Sequence, residues 1–409
     1  MKIIFIGFRL EPGLKEAIRN KTFFISRQLI KDKNKVIIIT NGDKDKHVNF
    51  KGIKIHVCGC GTRNSVFWKN RNQFIEFATQ ILIKEQPDII HDVFGMLGTS
   101  TITQKIIKKS KLKRTSTVRT IGAHGFATKD FGRLPEAILN KGFVQEYLPS
   151  LIFDNRLIRQ LIAKKYDNII CLSNHIAKEF KHKSKLEINN SIELDSFLDY
   201  KKKNNNKIRK FLKENKLENK DIILYLGHLK FQKGVKYIIK ALPSILKKNK
   251  NAVVIFALSG LGEDKSKYIK MFRRMKVPSE KVKIIEKVDP RLAFSASKIF
   301  ILPLSFQWGT QAQPDSLIEA LACGCVPIVS GIGSIPEVVK NKKNGLLIKP
   351  FSSEEISESV FVLLSNDKFY KKLQNNTKKG LERFDWKKNF PKHKKNYYDL
   401  LSRHKKVVK

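Results

Sequence analysis

The densest run of chemically useful residues lies between 310 and 350, TQAQPDSLIEALACGCVPIVSGIGSIPEVVKNKKNGLLIKP. Pro314-Asp315-Ser316 reads as a helix start with Asp315 or Ser316 as the cap, and Gly324 reads as its stop. The backbone N–H groups at such a start can hold a phosphate, and Glu319, in the first turn or just beyond, can accept hydrogen bonds from ribose hydroxyls. A glutamate there also does the plainer work of offsetting the helix dipole. Two histidines follow or close short apolar runs: His124 after TSTVRTIG, and His91 within PDIIHDV. At the strand ends of a parallel α/β sheet a histidine faces ligands, whereas in an ordinary loop it is only exposed or hydrogen-bonded. The five cysteines, 58, 60, 171, 323 and 325, form two Cys-Gly-Cys pairs and one singleton. Single-residue spacing is a poor tetrahedral bite, so reduced, buried thiols in a reducing compartment are expected rather than a metal site.

These residues need a frame. The chain has 409 residues, enough for two or three domains of about 150. A hydrophobic content of 41% and an aromatic content of 10% exclude a disordered chain. Short apolar runs alternate with amphipathic stretches: KIIFIGF (2–8), KVIIIT (35–40), PDIIHDV (87–93), TSTVRTIG (115–122) and NIICLS (168–173). After KKKNNNK (201–207), which reads as a linker or loop, the series resumes. It continues with DIILYLG (221–227), AVVIFALSG (252–260), KVKIIEKV (281–288), KIFILPLS (298–305) and VPIVSG (326–331). Continuous apolar strands separated by helices predict parallel sheets covered on both faces. The expectation is α/β, two Rossmann-like doubly wound halves with a break near 195–215 and a ligand in the cleft between them. Neither half carries Gly-x-Gly-x-x-Gly after its first strand, which argues against a nicotinamide or flavin enzyme. No run approaches the ~18 apolar residues of a membrane span. MKIIFIGF is too short for a signal-peptide core and reads as a first strand, so a cytoplasmic protein is expected.

The 310–350 segment also resembles a known pattern. Pro314-x-Ser316-Leu317-x-Glu319-Ala320-x-Ala322-x-Gly324-x-Pro327 is similar to the donor-site signature of retaining glycosyltransferases of the GT-B fold, family 4 (glycosyl transferases group 1). Ile335-Pro336-Glu337-Val338-Val339 and Asn344-Gly345-Leu346-Leu347 continue the likeness. Upstream, Gly227-His228-Leu229 with Lys233-Gly234 resembles the family's Gly-Arg-Leu…Lys-Gly, and Gly260-Leu261-Gly262 its Gly-x-Gly. Cys171-Leu172-Ser173 and Asn190 to Phe197 look like the close of the first domain, and Trp386 with Tyr397 to Leu401 like the last helix. The likeness is dense over 221–350 and sparse over 1–165.

The resemblance implies an acceptor-side domain over 1–198 and a nucleotide-sugar domain over 208–385. It also implies a C-terminal helix with a basic tail, 386–409, that returns to the first domain. Its catalytic residues would be Gln311, Glu319 and His124, with Gly227, His228, Lys233, Gly260, Gly262, Ser316, Leu317 and Glu319 on the donor. The co-substrate would be a nucleotide-diphosphate sugar, the acceptor a glycan or lipid-linked envelope molecule, and no metal or other cofactor is expected. Two positions depart from the pattern. Gln311 stands where the family has a glutamate on the donor sugar, and His228 where it has an arginine on the diphosphate. A neutral imidazole is a weaker anion clamp than guanidinium. The departures leave an alternative, a catalytically weakened sugar-nucleotide-binding protein of the same fold. The loop FRLEPGLKEAIR (8–19) lacks the family's Gly-Gly and leaves the acceptor unassigned.

Charge adds a further expectation. With 81 basic and 37 acidic residues the chain carries +44. Residues 105–114, KIIKKSKLKR, hold six basic side chains and no acid, and the aromatic-rich 126–153 follows. Such a surface suits an anionic membrane, which would make the protein peripheral on the inner face of the cell membrane. It equally suits a solvated helix end. Specific nucleic-acid binding ranks last, since no zinc spacing, RNA motif or helix-turn-helix accompanies the charge.

Overall fold

The computed structural model describes residues 1–13, 17–62, 64–95, 99–125, 156–258, 265–308 and 310–407. The chain divides into two compact units, Met1–Asn189 with Lys387–Lys409, and Asn190–Trp386.

The first unit is built on an eight-stranded sheet in the order β3-β4-β2-β1-β5-β6-β7-β8. Its strands are β1 (Lys2–Ile6), β2 (Lys35–Asn41), β3 (Lys46–Phe50), β4 (Ile53–Cys58), β5 (Ile89–Asp92), β6 (Ser116–Ile121), β7 (Asn168–Cys171) and β8 (Lys185–Glu187). All neighbours are parallel except β3 with β4. Ile3, Ile4, Phe5 and Ile6 are fully buried, which is why the first strand reads as a continuous apolar run. By contrast β3 and β4 were not legible as strands. They pair as a short hairpin whose pattern mixes Lys, His and Asn with apolar residues, because β3 is a half-exposed edge.

The second unit has a six-stranded, wholly parallel sheet in the order β11-β10-β9-β12-β13-β14. Its strands are β9 (Asp221–Gly227), β10 (Ala252–Leu258), β11 (Val282–Glu286), β12 (Ile299–Leu302), β13 (Val326–Ser330) and β14 (Leu346–Ile348). All seven residues of β10 are buried. The helix Val235–Lys248 lays Val235, Ile238, Ile239, Leu242 and Ile245 on the sheet, the spacing of one helical face. Each such side chain contributes about 1.5–3 kcal/mol on leaving water. Strand order reverses between β9 and β12, the place where a parallel sheet opens a crevice at its carboxyl edge.

Two expectations need correction. The break expected at 195–215 falls at Asn189/Asn190, and KKKNNNK is not a linker. Helices Tyr200–Lys203 and Asn205–Glu214 occupy it, held to the second unit by buried Tyr200, Ile208 and Phe211. The lysine run is the exposed face of those helices, so local charge masked a packed element. The helix over Trp386–Val407 returns to the first unit, where Asn396 Nδ2 donates to Asn168 Oδ1 at 3.0 Å. Among the described residues no helix is long and apolar enough to cross a membrane. The five thiols are unpaired and buried.

Candidate functional site

The site in the second unit begins where β9 ends. Gly227 closes the strand, and the following turn is pinned by two tyrosines: Tyr225 Oη donates to the His228 carbonyl at 2.5 Å and Tyr268 Oη to the Leu229 carbonyl at 3.1 Å. A short helical turn, Phe231–Lys233, then presents Lys233. Gly234 follows at φ 70°, and a Cβ there would lie 1.8 Å from the Pro303 carbonyl oxygen, just past β12. Only glycine permits that approach, and it sets Lys233 at the point where strand order reverses. Burial first, then the nearby charge of Lys230, lower the Lys233 ammonium to about 8, with Asp315 opposing them.

The second wall is the helix Asp315–Ala322. Pro314 occupies its N-cap with no side-chain cap, so the expected capping by Asp315 or Ser316 is not observed. The first intrahelical bonds run from the Leu317 and Ile318 amides to the Pro314 carbonyl at 3.1 and 3.3 Å. Asp315 is instead a polar hub, accepting from Asn190 Nδ2 at 2.5 Å and Gln311 Nε2 at 3.0 Å. Asn190 also donates through its backbone to Gln313 Oε1 at 2.9 Å, and Gln313 Nε2 donates to Glu337 at 2.9 Å. Glu319 lies one turn beyond Asp315 on the same face, just past the first turn. Its charge acts on Cys323: burial pushes that thiol up to about 12, a hydrogen bond with Ser295 opposes the rise and Glu319 adds to it. Ser316 is half-exposed and Leu317 is fully buried in the core, so Leu317 can offer only its backbone. Gly324 ends the helix in the left-handed region at φ 80°. Gly260 and Gly262 lie outside the described residues, as does the 126–153 segment.

In the first unit His124 follows β6 and is buried. Its Nδ1 lies 2.8 Å from Glu179 Oε1, and its ring stands edge-on to His175 at 4.9 Å. His91 is a core residue, bonded through Nδ1 to Tyr397 Oη at 2.8 Å and through Nε2 to Thr120 Oγ1 at 2.7 Å. Burial, with His393 and Arg119 nearby, holds its ring neutral.

The structure thus brings Gly227, His228, Lys233, Gln311, Ser316, Leu317 and Glu319 into one unit and places His124 in the other. Sequence reasoning missed Lys230, Asp315 and Asn190 as members of the site; their spacing carries no signal, because the contacts join positions up to 125 residues apart. It also missed an Asp-x-Asp, Asp43-Lys44-Asp45, just past β2. Asp43 accepts from Thr62 Oγ1 at 3.0 Å and Asp45 from the Gly59 amide at 2.6 Å, so both carboxylates fasten the turn. Among the described residues His124, His175 and Glu179 form a group able to hold a metal ion.

Comparison with known proteins bears on this arrangement. Residues 206–380 match the family model of glycosyl transferases group 1. An uncharacterized glycosyltransferase of Methanocaldococcus jannaschii is 28% identical over 255 residues, covering 61% of this chain and 63% of that protein. The N,N'-diacetylbacillosaminyl-diphospho-undecaprenol alpha-1,3-N-acetylgalactosaminyltransferase of Campylobacter jejuni is 26% identical over 181 residues, covering 43% and 44%. The chain spans about half the length of the curated relatives it matches. Among solved structures, Anabaena HepE in complex with UDP-glucose superposes with a TM-score of 0.70 at 14% identity, covering 100% of this chain and 99% of that one. The fold is that of the GT-B enzymes.

Proposed function

We propose that this chain, whose residues 206–380 match the family model of glycosyl transferases group 1, moves a hexose-type sugar from a nucleotide-diphosphate sugar to a glycan or lipid-linked acceptor. The transfer retains anomeric configuration and needs no metal. The observation that carries the reading is the meeting of Lys233, with Lys230 near it, and the uncapped start of the helix Asp315–Ala322 where strand order reverses. Breaking a sugar–phosphate bond leaves negative charge on the diphosphate while the sugar becomes cation-like. Lysine ammonium groups and helix amides stabilise that charge as it develops. Lys230 offers a second cation where His228 replaces an arginine. Gln311 and Glu319 grip sugar and ribose hydroxyls, and Asp315 restores a carboxylate beside the uncharged Gln311. His124 takes the sugar-handling role its sequence context implies. The leaving phosphate accepts the proton of the incoming hydroxyl.

The UDP-glucose bound by HepE supports a nucleotide-hexose donor, and the undecaprenol-linked acceptor in the name of the Campylobacter relative supports a lipid-linked one. The test is release of nucleoside diphosphate from a panel of nucleotide sugars, with and without EDTA. One donor should be turned over, EDTA should not matter, and Lys233→Ala and Glu319→Ala should each lower the rate by about a hundredfold or more. Tight binding of nucleoside diphosphates with no turnover of any donor would favour the binding-protein alternative. Absence of binding would sink the donor site.

A further inference from the structure

We infer that Glu179, braced by Arg159, is a positioning residue that keeps the proton of His124 on Nδ1 and so presents Nε2 as the acceptor for a substrate hydroxyl. The identity of that hydroxyl, on the sugar or its acceptor, rests on the transferase reading; the tautomer does not.

Three elements converge on the imidazole. After β6 the chain turns through Gly122-Ala123-His124-Gly125. The helix Asn174–Glu179 is N-capped by Ser173, whose Oγ accepts from the Ile176 amide at 3.1 Å, and it carries His175 and Glu179 four residues apart on one face. The helix Arg156–Ala163 supplies Arg159, whose side chain is 2% exposed. Glu179 Oε1 lies 2.8 Å from His124 Nδ1, and its Oε2 lies 3.2 Å from an Arg159 terminal nitrogen. That same nitrogen donates to the Ala123 carbonyl at 3.1 Å. The contacts close a ring from Ala123 through Arg159 and Glu179 to His124, so backbone and imidazole are fixed together. Gly125 leaves space for the brace: a Cβ there would lie 2.4 Å from Arg159 Cδ.

Charge then decides the tautomer. Burial alone would raise the Glu179 carboxyl, but the hydrogen bond from His124, the Arg159 guanidinium and the nearby His175 outweigh it and hold the group below its usual range. An ionised carboxylate only accepts, so Nδ1 must be the donor, and in the neutral ring Nε2 then carries the lone pair. An acceptor nitrogen with a fixed direction suits a hydroxyl that must be oriented or must give up its proton. The same three groups, His124, His175 and Glu179, could instead ligate a cation. The Arg159 charge on the second oxygen of Glu179 opposes that use.

The test uses the full chain labelled with 15N-histidine, His124 being assigned by His124→Asn. Wild type should show a protonated Nδ1 and a bare Nε2 on His124. Glu179→Ala should lose that bias and lower kcat for nucleotide release by about ten- to a hundredfold, with the donor KM within about twofold. Glu179→Gln, whose amide oxygen can still accept from Nδ1, should keep the tautomer and recover most of the rate, a rescue that a purely structural role would not require. A protonated Nε2 in the wild type, or an unchanged kcat in a folded Glu179→Ala, overturns the inference. So does one Zn2+ bound per wild-type chain and lost in His175→Ala, which would make the cluster a metal site. If wild type keeps the tautomer, Glu179→Ala loses it, and no donor is turned over, the positioning stands and the transferase reading falls.

Discussion

Lys233 titrates within the range of ordinary buffers, and the reason is local. Its ammonium is drawn out of water and repelled by Lys230, which together outweigh the attraction of Asp315 and lower it to about 8. Below that value the protein holds a cation for the proposed diphosphate; above it the cation is lost. Affinity for a nucleoside diphosphate should therefore be flat below pH 7 and fall between about pH 7.5 and 9, approaching tenfold per unit. Isothermal titration calorimetry at fixed ionic strength measures this. Lys233→Arg, which cannot lose its charge in this range, should flatten the profile. A wild-type affinity that holds level to pH 9 would remove Lys233 from the diphosphate. The lysine itself was legible in the sequence through its place before Gly234, but its depressed titration was not. Lys230 is a near neighbour in the chain, whereas Asp315 comes from 82 positions away. Glu179 was hidden for the same reason, 55 residues after His124 and on a different element.

At the level of elements, most of what positions the site could be read from the sequence. Strands β1, β2, β5, β9, β10, β12 and β13 are buried on both faces, so each leaves a continuous apolar run, and the helix Val235–Lys248 leaves a clear periodic one. Elements with one wet face left mixed patterns. The β3–β4 hairpin leaves no clear pattern, and KKKNNNK (201–207) reads as a linker or loop because its surface lysines hide the helices that Tyr200, Ile208 and Phe211 anchor. The return of the last helix to the first unit, expected from the resemblance, is held by specific contacts. Tyr397 and His393 are buried, and Tyr397 Oη bonds the equally buried His91 of β5. Tyr397→Phe should leave that imidazole nitrogen without its partner and destabilise the first unit by about 1–3 kcal/mol in urea unfolding. A change of only a few tenths would mean that the bond does not tie the helix down. The C-terminal helix is therefore a structural part of the unit it returns to.

For the molecule as a whole, charge makes the strongest demand on its surroundings. Ile106 of the helix Ser100–Ser110 is buried while Lys105, Lys108, Lys109 and Lys111 are exposed, a basic run in which Lys109 pairs with the exposed Glu76. We propose that this run meets an anionic bilayer, where each basic side chain contributes about 1 kcal/mol. Flotation with phosphatidylglycerol vesicles at low ionic strength should carry the protein upward, added salt should release it, and Lys105→Glu with Lys108→Glu should weaken it. No flotation at low salt would end the proposal. A last consequence follows from how the second unit is tethered. The chain leaves the first unit at Asn189 and re-enters it at Lys387, and beside those crossings the Ile192 amide donates to the Phe384 carbonyl at 2.9 Å and the Trp386 amide to the Ile192 carbonyl at 3.2 Å. The second unit is therefore a loop closed at its own base. A segment of that form can be lifted out and replaced at just two points of the chain, so the two units can be exchanged and re-engineered as separate modules.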